Sequence, residues 1–324
     1  MNTKEYEKNL IESIIESVEK NGGKDLLSSI VLTGSFGRYE PTYSYSDDGT
    51  FKLKSDVEIA LIYNRKVKKS NIEELISKVS KEFDEDLNLM PIDEKRIKGV
   101  YNFNHSLFIP KYKTIFTYDL FNGSYTIYGK DFLKTRKVGL EEVDLYEAKR
   151  IVANRIGELE YLRNTNKSNE NLTYLEKQWK GKVLLAIVSA WLILNKQYVT
   201  SYHGQYDKIL ENKKNIENKF GKTFIEDYFS IFEFLRKSGK EYDVSDENLR
   251  NYVQIINEDI MKLNKIKVNS LSRKVKYFFK YLKTERKFGL INFENNIIQS
   301  LIDEYASNNK KIEVTSSVWH GVLY

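Results

Sequence analysis

The chain contains no cysteine and only three histidines, His105, His203 and His320. Disulfides and thiolate metal sites are therefore excluded, and three scattered imidazoles leave little from which to build a zinc site. Long hydrophobic runs are missing too. The most apolar stretch, residues 183–194, is 12 residues long, against the ~20 that a membrane-spanning helix requires. The N-terminus MNTKEYEKNLIESIIES is charged from its fourth residue, which does not fit a signal peptide. The expectation is a cytoplasmic protein without membrane contact. No internal repeat or low-complexity linker is visible.

What the chain does have is length and a local excess of positive charge. Its 324 residues give room for two ordinary domains, each with a core of its own. The formal net charge is +6, and the segment 273–287 accounts for all of it, with Arg273, Lys274, Lys276, Lys280, Lys283, Arg286 and Lys287 set against Glu285. The rest of the chain is neutral, so an acidic partner is a question about one segment.

Periodicity divides the chain. Up to about residue 133, helical patterns alternate with short β-rich runs: a helix near 4–20, strands at 29–33 and 55–63, a helix near 71–83, and extended stretches around 86–92 and 114–120. From residue 140 onward the apolar spacing is helical almost throughout, near 141–163, 174–194, 223–238, 246–263, 270–284 and 294–306. The expected fold class is α+β, with a small mixed-sheet domain over 1–138 followed by an all-helical bundle over 139–324.

One stretch of the first half carries chemistry, LTGSFGRYEPTYSYSDDGTFKLKSDVEIALIY, residues 32–63. Gly34 ends a buried strand and lets the backbone turn while keeping the space above it free of any side chain. Ser35 and the amides after it would face that space as an anion cradle, with Arg38 close enough in sequence to add a charge-assisted contact to a phosphate. In the next strand Asp56 and Glu58 alternate onto one face, about 6.5–7 Å apart, while Val57 and Ile59 point to the other. Two neighbouring carboxylates repel unless a divalent cation lies between them. A Gly-Ser pair at a strand end is by itself most often a turn, and acid-x-acid at a strand start most often a solvated edge. Joined in this order between apolar strands, they suit a magnesium-bound nucleoside triphosphate.

Gly34-Ser35 followed by Ser55-Asp56-Val57-Glu58 resembles the signature of the DNA polymerase beta-like nucleotidyltransferase superfamily, and Ser-Asp-x-Glu is particularly similar to its kanamycin nucleotidyltransferase type. The resemblance covers about the first 135 residues. GSFGRYE and TIYGKDF, residues 126–132, are also similar to sequences that bracket this domain in bacterial members. It implies a mixed sheet with helices, a helical second domain, and transfer of a nucleoside monophosphate from a triphosphate to an acceptor with release of pyrophosphate. It further implies that Gly34 and Ser35 hold the β and γ phosphates and that Asp56 and Glu58 bind Mg²⁺. The acceptor, a small molecule or another protein, is not identified.

Two departures from the family pattern stand out. Twenty residues separate Ser35 from Asp56, where the family commonly has about half that; residues 39–54 are read as an inserted hairpin turning at Asp47-Asp48-Gly49. The family's third carboxylate, often the general base, aligns through Pro91 with Asn88, which cannot accept a proton. Three explanations remain open: Asp86 two residues earlier on the same strand face, Asp119 at the end of a β-rich run, or no base at all.

The helical half says less. Residues 183–194 are apolar nearly all round and read as the central helix of the bundle, preceded by Lys177, Lys180 and Lys182. YVTSYHGQYD, 198–207, reads as a polar, aromatic connecting loop with His203 at the surface. In 273–287, Val275, Phe278, Phe279 and Leu282 fall at helical spacing, so the aromatics belong to a core and the basic residues to the outer faces. A solvated face is the preferred reading there, with a nucleic-acid patch and a cleft lining left open.

Overall fold

A computed structural model describes residues 2–46, 48–64, 66–94, 97, 114–165, 172–236, 240–264, 302, 305 and 306. The described chain forms two units. One holds residues up to Glu142 together with Thr200–Tyr202, and the other holds Val143–Val199 and His203 onward. The first is a mixed α+β unit and the second is helical.

In the first unit, α1 (Thr3–Lys20) begins at Asn2, whose side chain accepts the Glu5 N–H at 2.9 Å and satisfies one of the helix's unpaired donors. Leu10, Ile14 and Val18, four residues apart, form its buried stripe. The short α2 (Gly23–Leu26) leads into β1 (Leu27–Leu32), which ends in the single turn α3 (Gly34–Gly37). The expected hairpin is present as β2 (Tyr43–Tyr45) paired antiparallel with β3 (Phe51–Leu53). Its turn is tightened by Asp48, which accepts the Thr50 N–H at 2.9 Å. Then follow β4 (Val57–Tyr63), α4 (Lys69–Ser80), β5 (Leu87–Asp93), α5 (Ile115–Asn122) and β6 (Tyr125–Gly129).

The four long strands form one sheet in the order β5-β4-β1-β6. β1 runs antiparallel to both β4 and β6, and β4 runs parallel to β5. Period-2 alternation sends Ile30, Leu32, Val57, Ile59 and Leu61 to one face, where they pack with Leu10, Ile14 and Val18 of α1 and Ile72, Leu75 and Val79 of α4. Val31, Ala60, Ile62 and Ile92 go to the other face and pack with Leu120 of α5 and with Phe132. Both faces are covered, which explains the continuous apolar run of β4.

Residues 114–120 differ from expectation. Ile115, Phe116, Thr117 and Tyr118 have the β-branched and aromatic composition of a strand, yet they are helical. Thr114 stays extended and its hydroxyl accepts the Thr117 N–H at 3.1 Å, an N-cap that outweighs the propensity of the residues after it.

The second unit contains α6 (Tyr146–Thr165), α7 (Leu172–Leu194), α8 (Tyr202–Glu211, whose first residue belongs to the first unit), α9 (Lys213–Phe220), α10 (Lys222–Arg236) and α11 (Asp246–Asn264). Val183, Leu184, Ile187, Leu192 and Ile193 of α7 are fully buried, as expected of its central helix. The stretch expected as a loop, 198–207, turns helical at Tyr202, while His203 is exposed as expected. Buried Asp227 on α10 accepts hydrogen bonds from Tyr252 Oη at 2.7 Å, Asn248 Nδ2 at 3.2 Å and Tyr242 Oη, a fully used acceptor pinning α10 to α11. Burial, reinforced by that bond to Asp227, pushes the Tyr242 hydroxyl up to about 12. Among the described residues no helix is long and apolar enough to cross a membrane. The basic segment 273–287 and the helix expected over 270–284 lie outside the described residues, as does all of the helix expected over 294–306 except residues 302, 305 and 306.

Candidate functional site

The Gly-Ser turn and Glu58 meet at one end of the sheet. Thr33, the last residue before the turn, donates its backbone N–H to the Glu58 carbonyl at 2.9 Å and its hydroxyl to the same oxygen at 3.3 Å. The end of β1 is thereby fixed to the start of β4. Gly34 has φ +60, a conformation open to glycine and costly for other residues. A Cβ built on it would stand 1.8 Å from Glu58 Oε2, so the space above the turn, expected to be clear, holds the Glu58 carboxylate. Gly37 is needed for a different reason: a Cβ there would press on the carbonyls of Gly123 and Leu32 at 2.6 and 2.7 Å.

Ser35 is 8% exposed, and its hydroxyl has no hydrogen-bond partner among the described residues. A buried hydroxyl left without a partner is uncommon in a folded chain and marks a place where a ligand oxygen could serve. Arg38 is placed otherwise than sequence proximity suggests. Its side chain is 12% exposed, with Nε 3.6 Å from Glu40 Oε2 and the guanidinium 5.2 Å from the centre of the Tyr202 ring. Glu40 Oε2 also accepts the Tyr202 N–H at 2.9 Å.

Asp56 stands one residue ahead of β4 and is exposed, while Glu58, the second residue of the strand, is half-buried. Glu58 lies opposite Asn88 in the parallel β4–β5 register, and the Val57 N–H donates to the Asp86 carbonyl at 2.8 Å. Asp86 and Asn88 are both exposed. Residues opposite one another in a ladder share a face, so Glu58 and Asn88 line one side of the sheet end, with Asp56 and Asp86 just ahead of their strands. It is the side that α5 covers further along with Leu120. Asp119, next to Leu120, is on that helix and not at a strand end; its carbonyl accepts the Gly123 N–H at 2.7 Å.

No family model and no curated protein matches the chain.

Among the described residues no group of three or more His, Asp or Glu side chains converges to hold a metal ion. The donor set does fit a cation that takes only part of its shell from protein. Mg²⁺ characteristically binds through one or two carboxylates and completes its coordination with water and substrate phosphates. Asp56 and Glu58 are hard oxygen donors of that number, with the orphaned Ser35 hydroxyl beside the same turn.

Gly34→Ala tests this arrangement. The added methyl meets both an unfavourable φ and the Glu58 carboxylate, so a stability loss of about 1–2 kcal/mol is expected from the backbone conformation. Glu58 must also swing away from the turn, and on the triphosphate expectation above MgATP binding should be lost. Denaturant unfolding and calorimetric titration with MgATP read the two effects separately.

Proposed function

We propose that the protein is a Mg²⁺-dependent nucleotidyltransferase that moves a nucleoside monophosphate from a nucleoside triphosphate to a small-molecule or protein acceptor, with release of pyrophosphate. The observation that carries this reading is the packing of the Glu58 carboxylate against the Gly34 turn, beside the unpartnered hydroxyl of Ser35. It joins a phosphate cradle and a cation ligand in one place, as the resemblance of the two motifs implies.

In this reading Gly34 and Ser35 receive the β and γ phosphates. Asp56 and Glu58 would hold Mg²⁺, which when bound neutralises charge on the triphosphate and its pyrophosphate leaving group. Asp86, whose carbonyl accepts the Val57 N–H at the start of β4, accepts the proton of the acceptor hydroxyl. Arg38, engaged with Glu40 and Tyr202, adds positive potential beside the turn and helps to fix its shape. Little covalent chemistry is asked of the side chains, since positioning and electrostatics supply most of the rate in such transfers.

Nucleotide binding without turnover is the second reading, and the register favours it at one point: the position opposite Glu58 is Asn88, which cannot take a proton. Transfer of label from α-labelled triphosphates to an acceptor decides between the two.

A further inference from the structure

Directly after the turn, the chain places a tyrosine where glycine is the usual residue. Two hydrogen bonds close α3: the Tyr39 N–H donates to the Phe36 carbonyl at 3.1 Å, and the Glu40 N–H to the Ser35 carbonyl at 2.8 Å. This pair of bonds is the Schellman closure, in which the residue corresponding to Tyr39 must be left-handed. Tyr39 has φ +59 accordingly. Glycine adopts that conformation without steric cost, whereas a tyrosine is strained there.

Burial does not account for the choice, because Tyr39 is 73% exposed. Its ring is nearly coplanar with that of Tyr125, at 4° between planes and 5.0 Å between centroids. Tyr125 is half-buried at the start of β6, opposite Leu32, the last residue of β1. Tyr39 therefore covers Tyr125 with one face of its ring and remains widely open to solvent. Burial, with Tyr39 and Glu7 as neighbours, pushes the Tyr125 hydroxyl up to about 12, so the ring stays neutral at physiological pH. The Glu40–Ser35 bond holds this platform against the same turn that presents the orphaned Ser35 hydroxyl.

We propose that the Tyr39–Tyr125 stack is the base-binding platform of the site, taking the nucleobase of the triphosphate on the open face of Tyr39 while Gly34 and Ser35 take its phosphates. The inference rests on the triphosphate reading above and adds what binds the other end of the ligand. A planar ring laid on an aromatic stack needs no hydrogen-bond match to be held, and a purine covers more of it than a pyrimidine. The platform thus favours purine triphosphates over pyrimidine ones and contributes nothing to a ligand without a base.

The test is calorimetric titration of the full chain with MgATP, MgUTP and magnesium tripolyphosphate, for wild type and for Tyr39→Gly, Tyr39→Ala and Tyr39→Phe. Wild type and Tyr39→Phe are expected to bind MgATP roughly tenfold more tightly than tripolyphosphate, with MgUTP between them. Tyr39→Gly and Tyr39→Ala should lose that difference and leave tripolyphosphate binding unchanged. Tyr39→Gly should at the same time raise the melting temperature, since it removes the backbone strain; a residue serving only the fold would not gain stability while losing affinity. If Tyr39→Gly binds MgATP as wild type does, the platform is refuted and the triphosphate reading stands. If wild type binds neither MgATP nor tripolyphosphate, the triphosphate reading fails and the platform fails with it.

Discussion

Asp56→Ala or Glu58→Ala abolishes Mg²⁺-dependent triphosphate binding and leaves the protein as stable as before, or slightly more so. The two acids stand two residues apart at the start of β4, where like charges repel. Neither belongs to the hydrophobic core, Asp56 being exposed and Glu58 half-buried at the start of β4. Removing one acid relieves repulsion that function imposes, the usual pattern for residues kept for activity at some cost to stability. Titration with MgATP alongside thermal unfolding reads both halves. A large fall in melting temperature with MgATP affinity unchanged would show instead that the pair is structural.

The second large effect separates the candidate bases. Asp86→Asn keeps the shape of the side chain and removes its proton-accepting power, so turnover should fall on the order of 10²–10⁴-fold with nucleotide affinity nearly unchanged. Asp119→Asn is expected to cost much less. Asp86 stands just ahead of β5 at the sheet end, its carbonyl accepting the Val57 N–H, whereas Asp119 is on α5. Asn88→Asp adds a carboxylate opposite Glu58 and should restore part of the turnover lost in Asp86→Asn. Single-turnover rates on the acceptor, once it is identified, give the comparison. If neither Asp86→Asn nor Asp119→Asn slows the reaction tenfold, neither residue is the base.

Much of the sheet was legible because its signals are local. Gly34-Ser35 closes a buried run and Asp56-Val57-Glu58 opens another, patterns that need no knowledge of the rest of the chain. The hairpin was equally local, set by the turn around Asp48 and Gly49. Asp119 was misplaced because strand-forming composition was weighed without the Thr114 cap. Which residue of β5 lies opposite Glu58 depends on the β4–β5 register, which no short-range pattern fixes. Arg38 illustrates the same limit, since its partner Tyr202 comes from far along the chain. Tyr39 left no sequence signal, because its left-handed backbone follows from the closure of α3 and nothing in the residue type announces it.

The central claim is nucleotidyl transfer, and it is tested most directly by following the α-phosphate. The protein is mixed with Mg²⁺ and each of the four α-labelled nucleoside triphosphates in a lysate, with Glu58→Ala as the control. The account predicts label covalently attached to a discrete small molecule or protein, pyrophosphate released in equal amount, and neither product with the control. Tight Mg²⁺-dependent binding of a triphosphate that is recovered intact, with no labelled acceptor in any lysate fraction, would contradict it and leave a nucleotide-binding protein that does not turn over.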